Sequence, residues 1–260
     1  RYQRKISAIL RLGLLCARAS ISGSRSVKHP LVSEIKLNCL VCALNSYYES
    51  KVCHPFMTKY EIDSSETQYQ PGSNDTVMVN MLDIIDVIEM NDVEAILLTK
   101  LYEKCFTTNT PEPDHFSFEN ISTWHRQWLG NVYEWAGKIR NVDMGKGGFQ
   151  FASPLQIGRC IDLFESEYLS QFNRLPNMNQ EELISYLARS HIEFILIHPF
   201  REGNGRMSRL LMDSICNKAG FGLLDYSLWD KNKDFYIASI QAGVSHDYQH
   251  MERLVRDVLA

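Results

Sequence analysis

The chain has 260 residues, 45% apolar and 22% charged, which suits one sizeable core with a small extra lobe. A formal charge of −4 gives no reason to invoke a nucleic-acid partner, and no stretch approaches the roughly eighteen uninterrupted apolar residues that a transmembrane segment needs. Seven cysteines, odd in number and scattered, fit a reduced, cytoplasmic chain.

Residues 1–62 are expected to form an N-terminal helical extension. Its first part, 1–28, carries seven Lys or Arg and no acid, with apolar residues Ile9, Leu10, Leu12, Leu14 and Leu15. Arg11 and Arg18 interrupt what a signal peptide would keep apolar, so a basic amphipathic helix packed on the body is preferred to a targeting or membrane-surface stretch. The Ser-rich 20–33, with Gly23 and Pro30, reads as a linker, and 31–50 as a further helix. Cys39, Cys42, Cys53 and His54 mimic a zinc layout, but the first pair lies within an apolar helix and the spacing is loose.

Residues 63–76 are polar, with Pro71, Gly72 and Asn74, and are expected to be irregular. Two helices are then predicted, 81–90 and 92–106, the second capped by Asp92. Helix 119–134 follows, with Ile121, Trp124, Trp128, Leu129 and Val132 as its buried side. In 135–154, Gly145, Gly147 and Gly148 supply turn chemistry, while Phe149 and Phe151 alternate with Gln150, which predicts a β-hairpin. An isolated hairpin in helical surroundings is seldom a core element. Amphipathic helices are expected again at 155–172, 183–197, 234–243 and the C-terminus.

The stretch 198–209, HPFREGNGRMSR, carries the chemistry. The residue before a proline is pushed out of the α region, so His198 should stand where helix 183–197 ends. A second helix, with an apolar stripe through Met207, Leu210, Leu211 and Ile215, should begin in the loop and stop at Gly220. Orphan N–H groups and the macrodipole make such a helix start an anion site. Gly203 and Gly205 permit close approach of backbone to an anion, and Asn204 can cap the helix and hold a ligand oxygen. Arg206 and Arg209 share a helical face at the end where positive charge is disfavoured, a conflict that a polyphosphate would remove. Glu202 beside a phosphate pocket makes sense with a divalent cation between them, Mg²⁺ bound by one carboxylate plus phosphate oxygens. His198 remains as a base for an attacking hydroxyl. A zinc-hydrolase set of His191, His198 and Glu202 fails, because Pro199 breaks the helix that its ligand spacing would need.

The segment HPFREGNGRMSR resembles the signature of the Fic family, HPFx(D/E)GNGRxxR, at every defined position. The resemblance covers about 63–260. It implies an all-α fold, a helical bundle with a short β-hairpin flap, and transfer of AMP from ATP onto a Ser, Thr or Tyr hydroxyl of a target protein. Carried across, it implies His198 as the base, Glu202 as the Mg²⁺ ligand, Gly203, Asn204 and Gly205 as the phosphate loop, Arg206 and Arg209 on the outer phosphates, and Phe200 as the anchor of the loop. The stretch AGKIRNVDMGKGG is similar to the family's flap, which pairs with an extended target backbone; Lys146, Gly147, Gly148 and Phe149 are its contact candidates. The segment 234–243 resembles the adenine-facing part, with Tyr236 as a candidate contact and Gly243 where other members carry Asn. The family's inhibitory motif, (S/T)xxxE(G/N), finds no full match: SHDYQH at 245–250 lacks the glutamate and TKLYEK at 99–104 has Lys104 after it. Inhibition by a separate small protein is therefore one expectation. A cytoplasmic location, with delivery into a host cell as an alternative, fits the same resemblance. The rival readings are another donor (transfer of UMP, phosphate or phosphocholine), removal of AMP, and a silent protein-binding module.

Overall fold

Helix α4, Gln180–Ile197, organises the fold, with neighbours on almost every side. It belongs to a computed structural model that describes residues 66–107, 116–146 and 149–259. The expected basic segment, linker, helix 31–50 and cysteine cluster all lie outside those residues. The helices are α1, Val87–Thr107; α2, Phe118–Leu129; α3, Pro154–Glu167; α4; α5, Asn204–Lys218; α6, Ser227–Lys231; α7, Lys233–Gly243; and α8, Gln249–Leu259. A two-stranded antiparallel hairpin, β1 Gly145–Lys146 and β2 Phe149–Gln150, pairs Gly145 with Gln150 and Lys146 with Phe149. The regular structure among the described residues is thus helical apart from this hairpin and an isolated bridge between Tyr69 and Met78.

Asn179 and Glu182 start α4 as a reciprocal capping box, each side chain accepting from the other's backbone N–H at 3.0 and 2.9 Å. Sequence periodicity marks one apolar face, Leu183, Leu187, His191 and Ile195, and all four are buried. Ile184, Ala188, Ile192 and Phe194 are buried as well, because α3, α5, α7 and α8 surround the helix. Helix α7 comes especially close: a β-carbon on Gly243 would run into the Ile192 side chain, so only glycine fits there.

Three expectations are corrected. Helices 81–90 and 92–106 are a single helix, α1, capped by Asp86, whose Oδ1 accepts from the N–H groups of Ile88 and Glu89, both at 2.9 Å. Asp92 lies inside it. Residues 81–86 stay non-helical because the Asn80 side chain captures the backbone of Leu82 and Ile84. The helix expected over 155–172 ends at Glu167 and continues as a 3-10 helix, Leu169–Asn177, with Pro176 near its end. Helix α2 also stops earlier than expected, at Leu129; Val132 beyond it is buried as expected, whereas Trp124, expected on the same buried side, is half-buried. No helix among the described residues is long and apolar enough to cross a membrane.

Asp213 of α5 is fully buried, accepting from the Tyr102 hydroxyl at 2.9 Å and the Leu224 N–H at 3.0 Å. Burial nonetheless raises its carboxyl to about 7. A raised folded value means that the fold holds a proton the unfolded chain has released. This contribution is complete below the usual 3.8 and is lost as pH rises through about 7. Asp213→Asn is therefore expected to gain thermal stability relative to wild type as pH rises from 4 to 7, with no further change above. Melting curves of both proteins across this range test it; a pH-independent difference would contradict it.

Candidate active site

Helix α4 ends at His198, which adopts the left-handed conformation, φ 49° and ψ 58°, ahead of Pro199. Its Nδ1–H donates to the Ile195 carbonyl at 3.1 Å, which assigns the proton to that nitrogen and leaves the Nε2 lone pair free to act as a base. Phe151 lies parallel on the imidazole, ring centroids 3.7 Å apart. Burial, reinforced by the charges of Arg140 and Lys146 and opposed by the Ile195 carbonyl and Glu202, lowers His198 to about 4. The ring is therefore neutral at physiological pH.

The flap is tied to the end of this helix by Arg140. Its Nε donates to the His198 carbonyl at 2.7 Å and its Nη2 to the Ala152 carbonyl at 2.6 Å; Nη1 reaches the Val142 carbonyl. Its backbone N–H donates to Pro199 at 2.9 Å, and Ala152 N–H donates to Leu196 at 3.1 Å. One buried guanidinium thus links both sides of the flap to the residue carrying the candidate base. Lys146 is exposed and Phe149 half-buried with its ring edge-on to Phe151; Gly147 and Gly148 lie outside the described residues.

The loop after Pro199 turns through Gly203, whose φ of +81° and close approach to Trp128 both require glycine. A β-carbon there would come 2.5 Å from the indole. Gly205 differs, since its φ is ordinary and a β-carbon would meet no protein atom. Phe200 is fully buried, stacked on His125 at 4.0 Å. Asn204 corrects an expectation: Gly203 is the N-cap of α5, and the Asn204 side chain is consumed inside the loop. Its Oδ1 accepts from Phe200 N–H at 2.9 Å and its Nδ2 donates to Phe200 O at 2.7 Å.

His125 braces the loop from α2. Gly137 N–H donates to Nδ1 at 2.8 Å, so the ring proton sits on Nε2 and is donated to the Glu202 carbonyl at 3.0 Å. Burial lowers this ring too, to about 4. The Glu202 carboxylate is partly exposed, accepts from Gly203 N–H at 3.0 Å, and lies 3.6 Å from Arg206.

Both arginines have carboxylate partners from outside the motif. Arg206 Nη1 is 2.8 Å from Glu94 of α1, its guanidinium lying 4.5 Å above Trp128. Arg209 is buried, 2.7 Å from Asp230 of α6 and over the Tyr226 ring. Tyr236, the candidate adenine contact, is half-buried: its hydroxyl is 2.9 Å from His191 Nε2 and its ring stacks on Trp229 at 5.2 Å. Sequence reading named none of Glu94, His125, Arg140, Phe151 and Asp230 for the site. Arg140 had a signal, as the one arginine within the flap pattern; Glu94 and Asp230 had none, since only the tertiary fold brings them in.

Residues 115–216 match the model of the Fic/DOC family. The chain carries a Fic domain. It is 31% identical to protein adenylyltransferase VbhT of Bartonella schoenbuchensis over 166 residues, which is 64% of this chain and 33% of that protein. It is 27% identical over 161 residues to a protein adenylyltransferase of Bartonella henselae, covering 56% of this chain and 29% of the relative. The chain thus spans about a third of the length of these curated relatives. Its fold resembles that of BepC from Bartonella tribocorum, a structure with bound AMPPNP, with a TM-score of 0.63 at 23% identity over 76% of this chain and 98% of that one. An N-terminal Fic domain from Bartonella sp. AR 15-3 superposes with a TM-score of 0.64 at 21% identity, over 78% of this chain and 95% of that one.

Two outcomes follow from this Fic-domain geometry. Replacing Arg140 by Leu leaves several buried carbonyls without a donor, and each costs about 1–3 kcal/mol. A clearly lower melting temperature is expected, with faster amide exchange across 141–152 than across α8; uniform exchange would contradict the tie. The second concerns acid. His125, His191 and His198 are lowered by burial to about 4, 3 and 4, so the unfolded chain protonates them first. Their stabilisation is complete above 6.5 and is lost as pH falls towards 4, against the opposite trend of Asp213. His191→Gln should flatten this acid limb in a pH series of denaturant melts, and an unchanged slope would count against it.

Proposed function

We propose that the chain is a protein adenylyltransferase, transferring AMP from ATP to a hydroxyl of a target protein. The observation that carries the reading is the neutral His198, its Nε2 lone pair free beside the N-terminus of α5. The names of VbhT and of the B. henselae relative, and the AMPPNP bound to BepC, support the donor.

The phosphates of the donor rest on the N–H groups at the start of α5, where the helix dipole favours negative charge. The open space over Gly205 suits this approach, because no atom of the protein itself needs a glycine there. Arg206 and Arg209 face the outer phosphates. Glu202 is the residue that would hold Mg²⁺; no cluster of three or more His, Cys, Asp or Glu exists among the described residues, and one carboxylate plus phosphate oxygens suits this ion. When bound, the ion neutralises phosphate charge. A target segment pairs with the flap by strand addition and presents its hydroxyl. His198 Nε2 takes the hydroxyl proton, the oxygen bonds to the α-phosphorus, and the bond to the bridging oxygen breaks, releasing pyrophosphate.

The Arg209–Asp230 pair favours a second reading, a donor with no terminal phosphate to claim that arginine, such as a nucleoside-diphosphate carrier of phosphocholine. The similar structures BepC and the Bartonella sp. AR 15-3 domain are VirB-translocated effectors, which supports a setting in the cytosol of a recipient cell.

The test is incubation of a cell lysate with α-labelled ATP, Mg²⁺ and each variant. Wild type is expected to label protein bands, and His198→Ala to lose roughly 10²–10⁴-fold of that label. Gly205→Ala should lower labelling without lowering the melting temperature, since alanine is the better helix former. Equal labelling by wild type and His198→Ala would overturn the reading.

A further inference from the structure

We infer that Glu94 is a positioning residue for donor phosphates, acting only through Arg206; this rests on the transfer reading above. Glu94 is fully buried near the start of α1, over a hundred residues from the motif in sequence. A buried carboxylate is costly unless its lone pairs are satisfied. Here both oxygens are used: Oε1 accepts from the Tyr133 hydroxyl and Oε2 from Arg206 Nη1, each at 2.8 Å. The backbone oxygen of Glu94 also accepts from the Trp128 indole N–H at 2.9 Å. Trp128 lies under the Arg206 guanidinium and also fills the space beside Gly203. Helices α1 and α2 therefore meet the phosphate loop at one shared unit, Glu94 with Trp128, and that unit fixes the arginine before any donor arrives. Ordering a long, flexible side chain in advance removes a cost that binding would otherwise carry.

Asp230 offers an informative contrast. It holds Arg209 by Oδ1, while its Oδ2 is buried without a hydrogen-bond partner, and it belongs to the short helix α6. Glu94 has no such unused oxygen and no freedom to withdraw. It is a fixed support rather than a competing anion.

Two charge effects have opposite signs and can be separated. As a counter-charge, Glu94 would weaken phosphate binding, and removing it would tighten binding. As a support, its loss would weaken binding of phosphate-bearing ligands in proportion to the phosphates that Arg206 reaches. Glutamine keeps the shape and can accept from Arg206 while donating to the Tyr133 oxygen; alanine keeps nothing.

The experiment measures affinities for AMPPNP with Mg²⁺ and for AMP, using wild type, Glu94→Gln, Glu94→Ala, Arg206→Ala and the double variant Glu94→Ala/Arg206→Ala. Glu94→Ala is expected to weaken AMPPNP about tenfold and to leave AMP within about twofold, with Glu94→Gln close to wild type. The double variant should bind AMPPNP no more weakly than Arg206→Ala, because the two act as a unit. If Glu94→Ala does not fold, Tyr133→Phe serves in its place and is expected to weaken AMPPNP by a smaller factor, again sparing AMP. Tighter AMPPNP binding by both Glu94 variants, or equal loss for AMP and AMPPNP, would overturn the inference. Failure of wild type to bind AMPPNP at all would instead overturn the transfer reading, and this inference with it.

Discussion

The guanidinium of Arg140, buried under the carbonyls of Val142, Ala152 and His198, is the constraint on which the site depends. A helix that ends before a proline leaves carbonyls without intrahelical partners, and at the end of α4 those oxygens are buried. Arg140 supplies the missing donors. By doing so from the flap, it fixes His198, Pro199 and the hairpin as one piece. The left-handed backbone of His198 is a conformation a histidine rarely keeps without support, and the support comes from both sides, Arg140 on the carbonyl and Ile195 on the ring.

Charge is arranged around that piece with equal economy. The candidate base is neutral because it is buried and faces Arg140 and Lys146. Arg206 and Arg209 each have a carboxylate, at 2.8 and 2.7 Å, so their charges are compensated within the protein. Glu202, partly exposed and bonded to its own loop, is the acid with access to a ligand. A polyphosphate would therefore enter a site whose donors are already aimed, which is where preorganised electrostatics contribute most to transfer chemistry.

What could be read from the sequence was local. The turn at Gly203, the helix boundary at Pro199 and the stop at Gly220 follow from the conformations glycine and proline favour, and neighbours in sequence settle them. The hairpin was legible for the same reason. Helix α1 was misread as two because Asp92 looks like a cap, whereas the capping is done by Asp86 and the preceding backbone is held by Asn80. The extent of α4's burial was hidden because periodicity reports one face and cannot count the helices that will cover the others. Asn204 looks like an N-cap because Asn often caps helices, whereas Gly203 takes that place and the Asn204 side chain bonds to both backbone groups of Phe200. His125, Glu94 and Asp230 reach the site from other helices, and no spacing rule links residues so far apart in the chain. The close packing of Gly243 on Ile192 likewise needs the third dimension.

The central claim is that this geometry moves a nucleotide and not a terminal phosphate. Parallel reactions of the purified protein with a lysate, one with ATP labelled at the α-phosphate and one with ATP labelled at the γ-phosphate, test it most directly. Label from the α-position on protein, with the γ-label recovered in pyrophosphate, is the predicted result. Label from the γ-position on protein would contradict it.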